Sequence, residues 1–154
     1  MKMGIGYDVH KMVPGRPLIL GGVEIPFDYG LEGYSDADVL LHAVCDALLG
    51  AAGKGDIGFH FPPGDEQFKN ISSLKLLKKV RDIISETYVV NNIDSIVVIE
   101  APKITPYKGK MEGNIASVLN CSCVNVKATT TEGLGITGRG EAAAAYSVAS
   151  LNFE

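Results

Sequence analysis

Glycine constrains this chain more than any other feature. It supplies 18 of 154 residues, well above a usual share of about 7%. Glycine takes positive φ without a steric penalty and lets backbones come close. The chain must therefore hold many tight turns or places of close backbone approach. The clearest is Gly21-Gly22, which joins two β-prone runs, Leu18-Ile19-Leu20 and Val23-Glu24-Ile25. That pattern predicts a hairpin, and Pro26 stops its second strand.

The other elements follow from periodicity. Residues 3–9 read as a short strand running into Asp8-Val9-His10. A helix opens at Ser35 or Asp36, both good N-cap residues, with Leu40, Leu41, Val44, Leu48 and Leu49 on one face and Gly50 and Gly53 at its frayed end. Residues 56–65 read as a loop. A second helix begins near Ser72 or Ser73, with an apolar stripe of Leu74, Leu77, Val80, Ile84 and Tyr88. Asn91-Asn92 predicts a turn before a buried strand over 93–99. A third helix spans 108–119, and 124–130 alternates like a half-buried strand. In 141–153 the alanines favour helix, while Tyr146, Val148 and Leu151 settle on no single period. With no repeat or linker, this is one domain of α/β or α+β class.

Composition excludes several function classes. Lys plus Arg total 14 and Asp plus Glu 18, a net charge of −4, which argues against broad nucleic-acid binding. The richest apolar stretches, 39–53 and 93–99, are too short or too interrupted for the roughly 18 residues of a membrane span. Cys45, Cys121 and Cys123 make an odd number without a CxxC pair, which suits a reduced compartment. The first residues carry no signal-like apolar run, so the expectation is a cytoplasmic protein.

Three constellations can carry chemistry. In Asp8-Val9-His10 the carboxylate and imidazole lie at i and i+2 of an extended segment, so both point to one face. With His42, on the first helix, they form an N/O ligand set that leaves a fourth position open on a tetrahedral ion. The same residues also suit a chance tripeptide and a packed helical histidine. In Ser35-Asp36-Ala37-Asp38 the carboxylates suit helix capping, or orientation of a metal-bound His or a substrate hydroxyl. Asp56-Ile57-Gly58 offers an acceptor and a backbone donor to a ribose diol, or simply a turn. His60 and Asp65 have no ligand spacing. Finally, Ala128-Thr129-Thr130-Thr131-Glu132, with Arg139, can bind a diphosphate and a hard cation, or can be a strand followed by a glycine-rich turn.

Taken in order, these segments resemble the 2-C-methyl-D-erythritol 2,4-cyclodiphosphate synthase family along the whole chain. The matching stretches include Gly6-Tyr7-Asp8-Val9-His10, Leu18 to Val23, Ser35-Asp36-Ala37-Asp38-Val39, His42 to Ala51, Gly55-Asp56-Ile57-Gly58, Phe61-Pro62, Ala101-Pro102-Lys103, Val126 to Glu132 and Thr137 to Glu141. The resemblance implies a single compact α+β domain over 1–154, with a mixed β-sheet, helices on one face and assembly as a homotrimer with active sites at subunit interfaces. It implies cyclisation of 4-diphosphocytidyl-2-C-methyl-D-erythritol 2-phosphate with release of CMP, in non-mevalonate isoprenoid biosynthesis. Asp8, His10 and His42 would bind zinc or another divalent transition metal, and Glu132 would hold Mg²⁺ or Mn²⁺. Thr130 resembles the transition-state stabiliser, and Tyr34 stands at the second catalytic position. Asp56 and Gly58 resemble the ribose contacts, and Ala101, Pro102, Lys103, Ile104 and Thr105 with Ala128 to Thr130 the cytosine pocket. Substrate contacts would extend to Tyr34, Ser35, Ile57, Phe61, Pro62, Pro63, Gly64, Asp65, Thr131, Ile136 and Arg139. An isoprenoid diphosphate is a candidate occupant of the trimer's central cavity.

Four positions depart from the family pattern. Tyr34 stands where His is usual, and a phenol carries no positive charge near neutral pH. Gly133 replaces a common Lys, Ile136 a common Phe and Pro63 a frequent Asp. Tyr34, Gly133 and Ile136 motivate one alternative, a binding trimer for CDP or isoprenoid diphosphate that has lost turnover; the other is a metal-dependent nucleotide phosphohydrolase on the same scaffold.

Overall fold

A computed structural model describes all 154 residues. Its strands are β1 (Lys2–Pro14), β2 (Leu18–Leu20), β3 (Val23–Ile25), β4 (Tyr29–Leu31), β5 (Tyr88–Val98), β6 (Val124–Thr129) and β7 (Ala142–Phe153). Its helices are α1 (Val39–Ala52), α2 (Ile57–His60), α3 (Ser73–Ile84), α4 (Lys108–Leu119) and α5 (Gly135–Gly138). Five strands form one sheet in the order β4-β1-β7-β5-β6, while β2 and β3 form the separate hairpin. Only β5 and β6 run parallel, so the sheet is mixed and the class is α+β.

Helix α1 lies directly on β1 and β7, and small residues make that possible. A Cβ added at Gly6 would sit 1.9 Å from the Ala43 carbonyl oxygen, and one at Gly4 would sit 2.1 Å from that of Ala47. On β7, Ala143, Ala145 and Ala149 are fully buried. This resolves the alanine-rich tail as strand. Its ladder partners β1 and β5 lie on both sides, and this context overrides alanine's helix preference. Only Asp46, Gly50 and Ala52 of α1 escape burial, so the single apolar face predicted for it is too narrow. The helix is enclosed by the sheet, the hairpin and α3 within a core of 32 residues.

Other boundaries also move. Helix α1 starts at Val39, three residues beyond Asp36, because Asp38 is its cap and accepts the Leu41 N–H at 3.1 Å. Asn91-Asn92 makes no turn; it lies within β5, where the register against β7 slips between Val90 and Asn92 as a bulge. The loop over 56–65 contains the short helix α2. Strand β1 extends well past residue 9, and α4 spans the predicted residues.

The sheet face away from α1 carries exposed Ile5, Tyr7, Val9, Tyr146 and Val148, with the Tyr7 and Tyr146 ring centroids 4.8 Å apart. No helix is long and apolar enough to cross a membrane.

Candidate active site

The close seat of α1 on β1 brings His42 against Asp8 and His10. Asp8 Oδ2 lies 2.8 Å from His10 Nε2 and 3.0 Å from His42 Nδ1, and the two imidazole nitrogens are 3.2 Å apart. Donors around a tetrahedral zinc ion, with bonds near 2.0 Å, stand about 3.3 Å from one another. The three groups therefore fit a divalent metal. His10 Nδ1 donates to the Glu32 carbonyl at 2.9 Å, which leaves Nε2 free to ligate. Burial would raise the Asp8 carboxyl, but the His10 and His42 imidazoles beside it outweigh that and hold the group at about 2. Burial lowers the His10 pKa, and the bond to Asp8 more than reverses that.

The paired aspartates of 35–38 divide their work. Ala37, buried and in the left-handed region at φ 57°, turns them apart. Asp38 caps α1 and accepts the Gly21 and Gly22 N–H groups at 3.0 and 2.8 Å, fastening the hairpin to the helix. Full burial and the nearby Asp36 carboxylate push it up to about 6, against the pull of its backbone donors. Asp36 turns toward α3, accepting the Ser73 N–H at 2.9 Å and the Ser73 hydroxyl. Ser73 Oγ in turn lies 3.0 Å from His42 Nε2, and Ser35 Oγ lies 3.1 Å from it. Capping thus falls to Asp38, while Asp36 reaches His42 only through the Ser73 hydroxyl.

A cavity of about 210 Å³ opens beside the three ligands, lined by Tyr34, Ser35, Ile57, Gly58, Phe61 and Pro63 with Phe68, Ile71 and Leu76. Tyr34 stays a neutral phenol, raised by desolvation and then by the Glu66 and Asp65 carboxylates. Its carbonyl accepts the Asn70 N–H at 2.9 Å, which folds the 61–71 segment over the site. Asp56 caps α2 through the Phe59 N–H at 2.9 Å. His60 Nε2 donates to the Lys54 carbonyl, and Asp65 caps a helical turn at Glu66–Phe68, so neither joins the ligand cluster. Pro62 and Gly64 do not line this cavity.

Two contributors carried no motif. Asp46, one turn beyond His42, accepts the Ile57 N–H at 2.8 Å and ties α2 to α1. Ser73 is fully buried at the start of α3. The i, i+4 spacing of His42 and Asp46 was a usable signal for the first; nothing local marked the second.

The threonine run lies elsewhere. Pro102, Lys103, Ile104 and Thr105 line a second cavity, about 340 Å³, with Ala128, Thr129 and Thr130. Ala101 borders another with Arg139. Thr131 is spent inside the turn, donating to the Leu134 carbonyl at 2.6 Å and lying 2.9 Å from the Thr137 hydroxyl. Thr130 is exposed, and its hydroxyl accepts the Glu132 N–H at 3.3 Å. Glu132 is held in the left-handed region at φ 52°, ahead of Gly133 at φ 79°. Arg139 pairs with Glu141 at 2.9 Å instead of facing the threonines, and Ile136 borders Val9 and Lys11. Asp8, Ala145, Val97 and Ala128 share one row across the sheet. Three strand spacings, about 14 Å, thus separate the Asp8, His10 and His42 cluster from the threonine run.

Residues 1–152 match the model of the YgbB family. A protein of Desulfatibacillum aliphaticivorans named 2-C-methyl-D-erythritol 2,4-cyclodiphosphate synthase is 63% identical, the match covering 98% of this chain and 99% of that one. Among solved structures, the bifunctional IspDF from Campylobacter jejuni matches at 44% identity with a TM-score of 0.95. That match covers 99% of this chain but only 42% of the longer one. An IspF from Plasmodium falciparum in complex with CDP matches at 33% identity and a TM-score of 0.86, covering 99% and 96%.

Proposed function

The chain belongs to the YgbB family, and from that membership we propose that it is a cyclodiphosphate synthase. It cyclises 4-diphosphocytidyl-2-C-methyl-D-erythritol 2-phosphate to 2-C-methyl-D-erythritol 2,4-cyclodiphosphate and releases CMP, a step of non-mevalonate isoprenoid precursor synthesis. The names of its relatives support this activity and neither the hydrolase nor the binding-only alternative. The observation that carries the proposal is the convergence of Asp8, His10 and His42 donors beside a cavity walled by the Ile57–Gly58 turn.

In the reaction an oxygen of the substrate's 2-phosphate bonds to the β-phosphorus. The bond from that phosphorus to the oxygen bridging to the α-phosphate breaks, and CMP carries that oxygen away. Divalent cations, zinc at Asp8, His10 and His42 and Mg²⁺ or Mn²⁺ at Glu132, would supply neutralising charge for the phosphates. Asp56 and the Gly58 N–H hold the ribose, and the 101–105 segment with Ala128 and Thr129 encloses the cytosine. The Thr130 hydroxyl donates to the oxygens on which charge builds. Ser35 and the neutral Tyr34 phenol donate from the opposite wall.

A homotrimer reconciles the two separated halves. With about 14 Å between them in one chain, the ligands of one subunit would meet the threonine run of a neighbour. The open sheet face with Ile5, Tyr7, Tyr146 and Val148 supports such packing. Ile136, Val9 and Lys11 would then border a central cavity fit for an isoprenoid diphosphate. A highly charged nucleotide substrate suits the cytoplasm.

The test is ³¹P NMR of the protein with the substrate and Mg²⁺, before and after chelation. Two coupled signals of a cyclic diphosphate, lost on chelation and restored by zinc, are expected. Acyclic phosphate beside CMP, or unchanged substrate with zinc present, would overturn the proposal.

A further inference from the structure

We infer that Ser73 sets the tautomer of His42 through an Asp36–Ser73–His42 hydrogen-bond chain, making Ser73 and Asp36 positioning residues for the metal. The inference rests on the metal-site reading above and adds to it two residues outside the ligand set.

To ligate through Nδ1, His42 must keep its proton on Nε2. That nitrogen faces two hydroxyls, Ser73 Oγ at 3.0 Å and Ser35 Oγ at 3.1 Å. A hydroxyl can donate or accept, so distance alone does not choose. Had a serine donated to Nε2, the imidazole proton would sit on Nδ1, facing Asp8 and blocking the metal.

Asp36 breaks the symmetry. An ionised carboxylate only accepts, and its Oδ1 takes the Ser73 hydroxyl proton while Oδ2 takes the Ser73 N–H at 2.9 Å. The one proton of the Ser73 hydroxyl is committed, so its lone pairs face Nε2 as an acceptor. Ser73 is fully buried and His42 nearly so, which keeps water from substituting. Ser35 differs. Its Oγ already accepts the Ala37 N–H at 3.1 Å, and it lines the cavity, so its proton remains free to point at substrate.

The chain also has a mechanical side. Asp36 Oδ1 accepts the Asp38 N–H at 3.1 Å, and the Asp36 N–H donates to the Ile71 carbonyl at 3.1 Å. Asp36 is thereby fixed both to the start of α1 and to the segment leading into α3. A group so fixed holds the imidazole plane as well as its proton, and outer partners of this kind carry much of a metal site's affinity.

Two readouts test it on the full chain. Zinc titration calorimetry of Ser73→Ala should show affinity about 10 to 100-fold below wild type. Asp36→Asn, which keeps an acceptor but loses the charge, should fall between, and Ser35→Ala should keep wild-type affinity. The Asp8 carboxylate, 3.0 Å from Nδ1, competes for that proton in the metal-free protein, so imidazole ¹⁵N NMR at mildly alkaline pH should show a larger share of the His42 proton on Nε2 in wild type than in Ser73→Ala. Should Ser73→Ala fail to fold, Asp36→Asn gives both readouts. Unchanged affinity and unchanged nitrogen signals would overturn the inference. If wild type binds no zinc, the metal reading fails, and the nitrogen signals still decide the hydrogen-bond chain.

Discussion

The metal end and the threonine turn are built on opposite plans. Around Asp8, His10 and His42 nearly every polar atom has a partner within the chain, and α1 rests on β1 backbone to backbone. Around Thr130 and Glu132 the chain is exposed, the turn bonds mainly to itself, and an uncommon left-handed glutamate is exposed to solvent. One half is finished by folding. The other is left open to solvent, and in the proposed reading it is there that substrate phosphates, a cation and a second subunit would meet. Stability and catalysis should therefore separate between the two regions.

The largest contrast should come from two Gly→Ala changes. At Gly6 the new Cβ meets the Ala43 carbonyl; the expected loss exceeds about 4 kcal/mol, a fall in melting temperature of roughly 10 °C or more. At Gly133, with nothing within 4 Å and φ +79°, only local strain of about 1 kcal/mol is expected. Comparable melting curves for the two would break the comparison.

Thr130→Ala reverses the pattern. We expect kcat to fall on the order of 10²- to 10³-fold, with zinc content and melting temperature unchanged, because the side chain is exposed. Loss of bound zinc in this variant would show the two halves to be one structural unit.

Next in size is the effect of pH on the metal end. Asp8, lowered to about 2, stabilises the metal-free fold above its unfolded value and loses that contribution as pH falls through the folded one. His10, raised, contributes fully below about 6.5 and loses this as pH rises through its folded value. The Asp8–His10 pair thus supports the metal-free protein best between the two values, where the His10 proton competes with zinc. Apparent zinc affinity, followed by calorimetry, should fall about tenfold per pH unit once His10 is protonated. A flat profile would remove His10 from the ligand set.

The smallest effect is expected at Lys127, whose ion pair with Asp94 at 2.6 Å lies on exposed surface. Lys127→Gln should change stability by less than about 1 kcal/mol, as chemical denaturation can check. A larger loss would mean that the strand leading to the threonines is more tightly held than its exposure indicates.

Much of this was legible locally. The Gly21-Gly22 hairpin, the span of α4 and the same-face pair Asp8 and His10 follow from turn chemistry and from periods of 3.6 and 2. What stayed hidden depends on partners far along the chain. The alanines of 142–145 read as helix until β1 and β5 flank them, and Asn91-Asn92 reads as a turn until β7 absorbs it as a bulge. Asp36 reads as a cap, because a carboxylate at a helix start gains from backbone donors in any sequence. Its bond to Ser73, 37 residues on, exists only because α3 packs against α1. By itself the sequence determined which side chains could ligate, donate and turn. The tertiary structure decided which of them face each other and which keep a free hand, because buried hydrogen bonds between distant segments form only where packing excludes water.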